Sequence, residues 1–433
     1  MKRTFVADLT NKFNETVKIN GWIQTIRDQK KMQFLVLRDH TGMAQAINDK
    51  GQNEAAAQLI ANLTPESAVE VVGKVVANAS VKLKGLEIVI ESLQVLNLSD
   101  PQLPIDDNTA LDGRLNWRFL DLRKPQNGLV FKVQTLVEHA MRKFWQQEGF
   151  IEIHSPKLMG SASESGAELF RLEYFGKFAY LAQSPQFYKQ MAMAAGFDRV
   201  FEIGPVFRAN PSFTVRHDTE FTSVDSEISW IESHEEVMAF EERWLQYVLK
   251  TVKIELGEQI KEIYGLEVMV PEVPFPRIAM KEAKEILREL GNPIPEDEDL
   301  NPEGERLLCE YVTKKYGNEF VFVTDYPSSV RPFYHMRYEH DNKLTKSFDL
   351  LWRGLELTSG AQREHRYDIL IKQAQEKGLN LEPIQDYLNC FKYGCPPHGG
   401  FGFGLSRLLM LLLGFKNVRE VTYLYRGPHR LTP

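Results

Sequence analysis

Arg208, Arg216 and His217 fall within one polar stretch, FRANPSFTVRHDTEFTSVD, that a strand enters and a second strand leaves through Phe221 and Asp225. Two arginines on a hairpin can grip phosphate oxygens with planar, two-pronged geometry, and an aromatic on the returning strand can stack a nucleotide base. In SFDLLWRGLELTSGAQREHR, Asp349 and Glu356 stand on a strand or a pair of strands that would project both acids into one cleft. Two carboxylates facing phosphate oxygens suit Mg²⁺, a hard cation that shares its coordination sphere with substrate and water. In GGFGFGLSRLLMLLLG, Gly399, Gly400, Gly402 and Gly404 permit close backbone approach, and Arg407 opens a helix that is otherwise almost wholly apolar. Such an arginine must find an anion or a partner; the GK[ST] ending of a P-loop is missing. In LAQSPQFYKQMAM, Ser184, Gln186 and Lys189 interrupt an apolar run, the usual composition of a small-ligand pocket. Taken singly, each stretch also fits surface arginines, ordinary strand acids or a structural ion pair.

These residues need elements to aim them. Residues 17–98 read as five short strands, VKINGWIQTIR, MQFLVLRD, MAQAIN, VEVVGKVV and LEIVIESLQVL, with a turn at 39–42 and a helical stretch over 53–63. Five strands and one helix in so short a span suggest an OB-type barrel, a fold that often holds single-stranded nucleic acid. Residues 99–112, SDPQLPIDDNTALD, read as a connection between domains. Val133, Leu136, Val137, Ala140, Met141, Phe144 and Trp145 then recur at helical spacing and stop at Gly149, before a strand that ends at Pro156. Further strands, RVFEIGPVF and EFTSVDSEIS among them, alternate with helices over 237–248 and 280–290 without βαβ regularity. That pattern predicts an α+β domain on an antiparallel sheet.

Composition bounds the class. The chain has 433 residues, 43% hydrophobic and 26% charged, with three cysteines. Disorder, collagen and coiled coil are excluded, and Cys309, Cys390 and Cys395 are too few and too unevenly spaced for a disulfide framework or a four-ligand zinc site. The N-terminus lacks the apolar core of a signal peptide and no apolar run is long enough to span a bilayer, so the expected setting is cytoplasmic, with no membrane partner. The net charge of −7 argues against a polyanion partner only on average. Residues 1–50 carry nine Lys/Arg against five Asp/Glu, whereas residues 51–100 carry three against six, which leaves a small basic face in an acidic whole.

A strand-helix-strand run ending in Pro156, the Arg208 hairpin, and a GxGxxR run at Gly402, Gly404 and Arg407 resemble, in that order, the three motifs of class II aminoacyl-tRNA synthetases. QSPQFYKQ, SESGAELF, RHDTEFTSVDSE, RGLELTSGAQREHR and the terminal RLTP are similar to the aspartyl-tRNA synthetases of the compact archaeal and eukaryotic type, across essentially the whole chain. The resemblance implies an N-terminal OB-fold β-barrel for the anticodon (1–100), a hinge (101–125) and a catalytic antiparallel β-sheet flanked by helices (126–433), assembled as a homodimer. It implies ligation of L-aspartate to tRNA with ATP and Mg²⁺. Arg208 and Arg407 would be catalytic, and Arg216, His217, Phe221 and Glu356 would join them around ATP. Asp349 and Glu356 would hold the metal. Glu164, Ser184, Gln186, Lys189, Arg208, Asp225, Ser359 and Arg363 would bind aspartate, and Arg27, Phe34, Gln45 and Glu87 would read the anticodon. Phe34 alternates with Leu35, Val36 and Leu37, so a place in the barrel core fits it too.

The sequence departs from the family at Asn210, where Glu is usual, at Ser406, where an acid is common, and in LYRGPHRLTP. The alternatives are an asparaginyl-tRNA synthetase, which is expected to lack Lys189 and carry Glu in place of Asp225, a paralogue that turns the adenylate into a free metabolite, and a tRNA-binding or regulatory paralogue without ligase activity. Relaxed specificity that also charges tRNA(Asn) would depend on barrel residues around Gln24 and Lys82 to Lys84.

Overall fold

The computed structural model describes residues 1–161, 168–211 and 214–433, and the chain divides into two compact units, Met1–Gly128 and Leu129–Pro433. In the first, β1 (Thr16–Asp28), β2 (Met32–Asp39), β3 (Gly42–Asp49), β4 (Ala68–Ala77) and β5 (Leu86–Asn97) close into a barrel in the order β1-β2-β3-β5-β4. Period-two alternation along β2 sends Leu35 and Leu37 into the barrel core and leaves Phe34 and Val36 half-buried on the other face. The question of whether Phe34 is core is thereby answered: it is not. Asn53 caps the helix Glu54–Ala61 by accepting from the Ala56 amide at 3.0 Å, and Ala56 and Ile60 of that helix join the barrel core. After the barrel, residues 101–125 carry two short helices, Leu111–Asn116 and Arg118–Asp121.

The second unit contains β6 (Ile151–Glu152), β7 (Leu158–Met159), β8 (Arg171–Tyr174), β9 (Lys177–Leu181), β10 (Arg199–Phe207), β11 (Glu220–Ser229), β12 (Arg277–Ala279), β13 (Phe320–Thr324), β14 (Ser347–Trp352), β15 (Leu355–Gln362) and β16 (His398–Gly404). Eight of these form one sheet in the order β12-β13-β14-β15-β16-β11-β10-β6, and β7, β9 and β8 form a small second one. The large sheet is antiparallel except at its two outer pairs, β12 with β13 and β6 with β10.

The helices Pro125–Gln147 and His234–Tyr264 cover one face of this sheet, and Met280–Glu289 and Pro302–Tyr316 pack on the other face at its β12–β14 end. The 31-residue helix His234–Tyr264 starts at a capping box, in which Ser233 and Glu236 satisfy each other's backbone donors, and stops where Gly265 turns left-handed at φ 69°. Its Trp244 stacks on Trp145 of the helix Pro125–Gln147 at 4.9 Å and meets Phe401 and Phe403 of β16 at 5.5 and 5.1 Å. Truncating so large a buried aromatic costs about 3–5 kcal/mol. Because side chains alternate, Gly400, Gly402 and Gly404 of β16 face the other way from Phe401 and Phe403. Among the described residues no helix is long and apolar enough to cross a membrane.

Candidate active site and nucleic-acid interface

The face of the large sheet opposite Trp244 carries the chemistry. Its register sets Asp349 of β14 opposite Ser359 of β15, Ser359 opposite Gly402 of β16, Gly402 opposite Asp225 of β11, and Asp225 opposite Glu202 of β10. Five strands thus contribute one row, polar at both ends and bare at Gly402. A Cβ there would meet Asp225 Oδ1 at 3.2 Å, and one at Gly400 would come within 2.1 Å of the Ser226 carbonyl oxygen. The glycine run keeps a floor open beside the acids. Alternation along β11 sets Phe221, Ser223, Asp225 and Glu227 on this face, while Val224 and Ile228 enter the core beneath the helices.

One irregularity decides where Glu356 points. The β14–β15 pairing slips by one residue, from Leu350 opposite Thr358 to Leu351 opposite Glu356, so Leu357 is a bulge. The slip turns Glu356 to the face of Asp349 and Ser359.

Above this floor lies a cavity of about 360 Å³, and Arg208, Arg216, Arg331, Arg363 and Arg407 all line it. Arg208 Nε donates to the Gln183 carbonyl at 3.4 Å, and its guanidinium lies 5.5 Å from the centre of the Phe221 ring. Arg407 Nη1 donates to the Glu356 carbonyl oxygen at 2.7 Å, in space left by Gly404, whose added Cβ would meet the Arg407 side chain at 3.1 Å. Arg216 pairs with Glu305 at 3.0 Å, and burial raises the Glu305 carboxyl to about 7 against the pull of Arg216. His217 shares a 2.6 Å hydrogen bond with Thr214. Burial, then the charges of Arg407 and Arg216, hold the imidazole below its ordinary pKa and keep it neutral. Asp218 also lines the cavity, and burial brings its carboxyl up to about 7.

At the other end of the cavity lies a buried charge cluster. Lys189 Nζ donates to Asp225 Oδ1 at 2.9 Å and stands 3.4 Å from Glu227 Oε2. Arg363 donates to both oxygens of Glu227, at 2.9 and 3.3 Å. Burial alone would raise the Glu227 carboxyl, but the charges of Arg363 and Lys189 outweigh it and keep the group below the ordinary carboxylate value. Ser184 Oγ accepts from the Gln186 amide at 3.3 Å, and Gln186 Nε2 donates to Gln190 at 2.9 Å. Ser359 Oγ accepts from Arg331 at 3.2 Å, and Arg331 also pairs with Asp349 at 2.5 Å.

The structure therefore brings together Arg208, Arg216, His217, Phe221, Ser184, Gln186, Asp225, Glu356, Ser359, Arg363 and Arg407 around one cavity. Lys189 and Asp349 stand behind the wall, reaching it through Asp225 and through Arg331 and Ser359. Glu164 lies outside the described residues; Glu168, from the same acidic stretch, is in the lining. Sequence reasoning missed Arg331, Glu227, His335, Glu305 and Glu168. Only Glu227 carried a signal, its period-two relation to Asp225.

Two hard carboxylates on one sheet face fit a magnesium ion. Asp349 Oδ1 is buried without a hydrogen-bond partner among the described residues. Burial and the charge of Asp349 raise the Glu356 carboxyl, with Arg407 opposing. No group of three or more His, Cys, Asp or Glu suited to a metal exists among the described residues, so most ligands at such a site must come from substrate and water.

The barrel brings its four candidates into one chain of contacts. Arg27 lies over Phe34 at 5.2 Å and donates to Gln45 at 3.2 Å; Gln45 donates to Glu87 at 3.1 Å, and Asn78 donates to the other Glu87 oxygen at 2.9 Å. A half-buried aromatic beside a polar chain is the arrangement that base stacking with edge contacts requires. Gln24 sits at a bulge in β1 and accepts from Arg38, while Lys82 and Lys84 are exposed on the turn before β5.

This chain belongs to the class II aminoacyl-tRNA synthetases: the family described as tRNA synthetases class II (D, K and N) matches residues 110–426, and the OB-fold nucleic acid binding domain matches residues 17–96. Within that class it is 45% identical over 440 residues to the aspartate–tRNA(Asp) ligase of Pyrococcus abyssi, and 44% identical over 441 residues to the aspartate–tRNA(Asp/Asn) ligase of Methanopyrus kandleri, with 100% of both chains covered in each case. Among solved structures, the aspartyl-tRNA synthetase of Entamoeba histolytica superposes with a TM-score of 0.91 at 33% identity, covering 100% of this chain and 93% of the other. The asparaginyl-tRNA synthetase of Pyrococcus horikoshii, complexed with asparaginyl-adenylate, gives 0.93 at 31% identity, covering 100% of both.

Proposed function

We propose that the protein ligates L-aspartate to tRNA(Asp) through an aspartyl-adenylate. The observation that carries this reading is the meeting of two buried cations, Lys189 and Arg363, on Glu227 at one end of a cavity whose other end holds Arg208 and Phe221. An amino acid with an anionic side chain fits the first end and a nucleotide the second.

A carboxylate is already a nucleophile, so activation needs alignment and charge stabilisation rather than a general base. Arg208 holds the aspartate α-carboxylate against the α-phosphate, and Phe221 stacks the adenine. The carboxylate oxygen bonds to the α-phosphorus as the bond to pyrophosphate breaks, and Arg407, Arg216 and neutral His217 take up the charge that leaves. Bound at Asp349 and Glu356, Mg²⁺ would supply further neutralisation of phosphate oxygens. Ser184, Gln186, Asp225 and Ser359 bind the α-amino end together with Glu164, and Lys189 and Arg363 favour the side-chain carboxylate. Asparagine would turn amide donors toward these donors, a mismatch of roughly several kcal/mol. The terminal 3′-hydroxyl of the tRNA then attacks the adenylate carbonyl, forming the ester and releasing AMP.

In the barrel, an anticodon base stacks on Phe34 and is read by Arg27, Gln45 and Glu87. Charging of tRNA(Asn) as well is the wider form of the same reading, supported by the Methanopyrus kandleri relative. Assembly is as a homodimer in the cytoplasm; Ile151, 46% exposed on the edge strand β6, is available to such an interface.

The test is ATP–pyrophosphate exchange with aspartate and asparagine in parallel, followed by charging of the two tRNAs. Aspartate-dependent exchange is expected. Exchange with neither amino acid overturns the enzymatic reading, and exchange with asparagine alone overturns the specificity. A monomer by light scattering contradicts the dimer.

A further inference from the structure

Gln186 and Gln190 stand one turn apart on the helix Gln186–Ala194, and Gln186 lines the cavity. Behind Gln186 runs a buried hydrogen-bond chain that ends on a backbone carbonyl. Gln186 Nε2 donates to Gln190 Oε1 at 2.9 Å, and the Tyr387 hydroxyl donates to the same oxygen at 3.0 Å. Gln190 Nε2 meets His398 Nε2 at 3.0 Å, and His398 Nδ1 meets the Pro396 carbonyl oxygen at 2.8 Å. Gln190 and His398 are wholly buried. The last contact sets the direction of all the others. A carbonyl can only accept, so Nδ1 must carry the imidazole proton. Burial brings the ring down to about 4, so it holds a single proton and Nε2 accepts. Gln190 must then turn its NH₂ to His398 and its oxygen to Gln186 and Tyr387. Gln186 in turn gives its NH₂ to Gln190, which leaves Oε1 for the cavity. That oxygen has no partner among the described residues, and it is not one of their buried unpaired atoms: it keeps exposed surface at the wall that Gln186 lines.

We infer that Gln190 and His398 are positioning residues for the amino-acid substrate: through them the Pro396 carbonyl fixes Gln186 with its oxygen toward the cavity, as an acceptor for the substrate α-ammonium. The inference rests on the aspartate reading of the cavity and adds to it the groups that orient the α-amino end. An unheld amide can turn either end to a ligand, and an NH₂ turned to an ammonium sets donor against donor. The chain forbids that turn. Inverting Gln186 alone would set its oxygen against the oxygen of Gln190, and inverting the whole chain would set the bare His398 Nδ1 against the Pro396 carbonyl oxygen. Either leaves buried acceptors facing each other with no proton between them.

The experiment measures aspartate-dependent ATP–pyrophosphate exchange for the parent, Gln190→Leu, His398→Phe and Gln190→Glu, with thermal melting of each to show that it is folded. Succinate, which keeps both carboxylates of aspartate and lacks the ammonium, is run as a competitive inhibitor. Gln190→Leu removes the link to Gln186, and His398→Phe removes the acceptor that orients Gln190. Either one, folded, is expected to raise KM for aspartate about tenfold, the effect of losing one oriented hydrogen bond to a charged group. KM for ATP and the inhibition constant of succinate stay near the parent values. Gln190→Glu keeps an acceptor toward Gln186 and shares a proton with His398, so its KM for aspartate is expected to lie within about threefold of the parent's. A KM for aspartate unchanged in the folded variants, succinate weakened as much as aspartate, or a Gln190→Glu as impaired as Gln190→Leu overturns the inference. If the parent itself gives no aspartate-dependent exchange, it is the reading of the cavity that fails.

Discussion

Arg363 Nε donates to Glu227 Oε1 at 2.9 Å, and neither side chain is more than 2% exposed. The second Glu227 oxygen lies 3.4 Å from Lys189. One buried carboxylate therefore holds two cations from distant parts of the chain, and its own ionisation depends on them. Such a cluster is a pocket half built: the charges are already desolvated and oriented before any ligand arrives.

Glu227→Gln is expected to cost about 3–5 kcal/mol of stability, because it leaves buried Arg363 without its counter-charge and Lys189 with Asp225 alone. Chemical denaturation of parent and variant measures it directly. A difference within the error of the two curves would mean that Arg363 finds another anion.

Lys189→Met is expected to abolish aspartate activation with the fold retained, since Met fills the volume and Arg363 still satisfies Glu227. Circular dichroism and pyrophosphate exchange together report on it. Aspartate kinetics matching the parent's would show that the lysine serves Asp225 and not the substrate.

Phe34→Ala is expected to weaken tRNA charging by roughly tenfold in kcat/KM, the worth of about 1–3 kcal/mol per stacked base. Pyrophosphate exchange, which needs no tRNA, stays at the parent level. Unchanged charging would remove Phe34 from the anticodon surface.

Glu241, buried in the helix His234–Tyr264 and hydrogen-bonded by Thr358 at 2.6 Å, has its carboxyl raised by burial to about 8. The folded state thus keeps a proton that the unfolded chain releases near the ordinary Glu value. Stability from this group is full at acid pH and falls as pH rises toward 8. Glu241→Gln is expected to flatten the decline in Tm between pH 5 and pH 8.5, read by thermal scans in matched buffers. An equal decline in parent and variant would assign the slope to other groups.

Much of the sheet and its face was legible because alternation is a local rule. The EFTSVDSEIS segment declares that Phe221, Asp225 and Glu227 share a face before any partner is known. Arg331 was not legible: it sits outside any strand, and its partner Asp349 and ring contact Tyr326 lie on either side of it in no periodic relation. His398 was equally silent, since a histidine acquires its meaning from which donor meets which ring nitrogen. The helix His234–Tyr264 is longer than the periodic stretch 237–248 suggests, because a capping box and a terminal glycine set its ends while apolar spacing marks only its buried middle.

The bulge at Leu357 has a consequence for anyone comparing or editing this chain. With regular pairing, Glu356 would face Trp352 and emerge among the apolar side chains beneath the helices; the surplus residue works like a parity bit that sends it to the cleft instead. A one-residue deletion in the β14–β15 hairpin would leave every chemical group present and reverse the side on which one acid emerges. Counting residues between Asp349 and Glu356 is therefore a sharper guide to whether a relative keeps this site than the identity of the two acids alone.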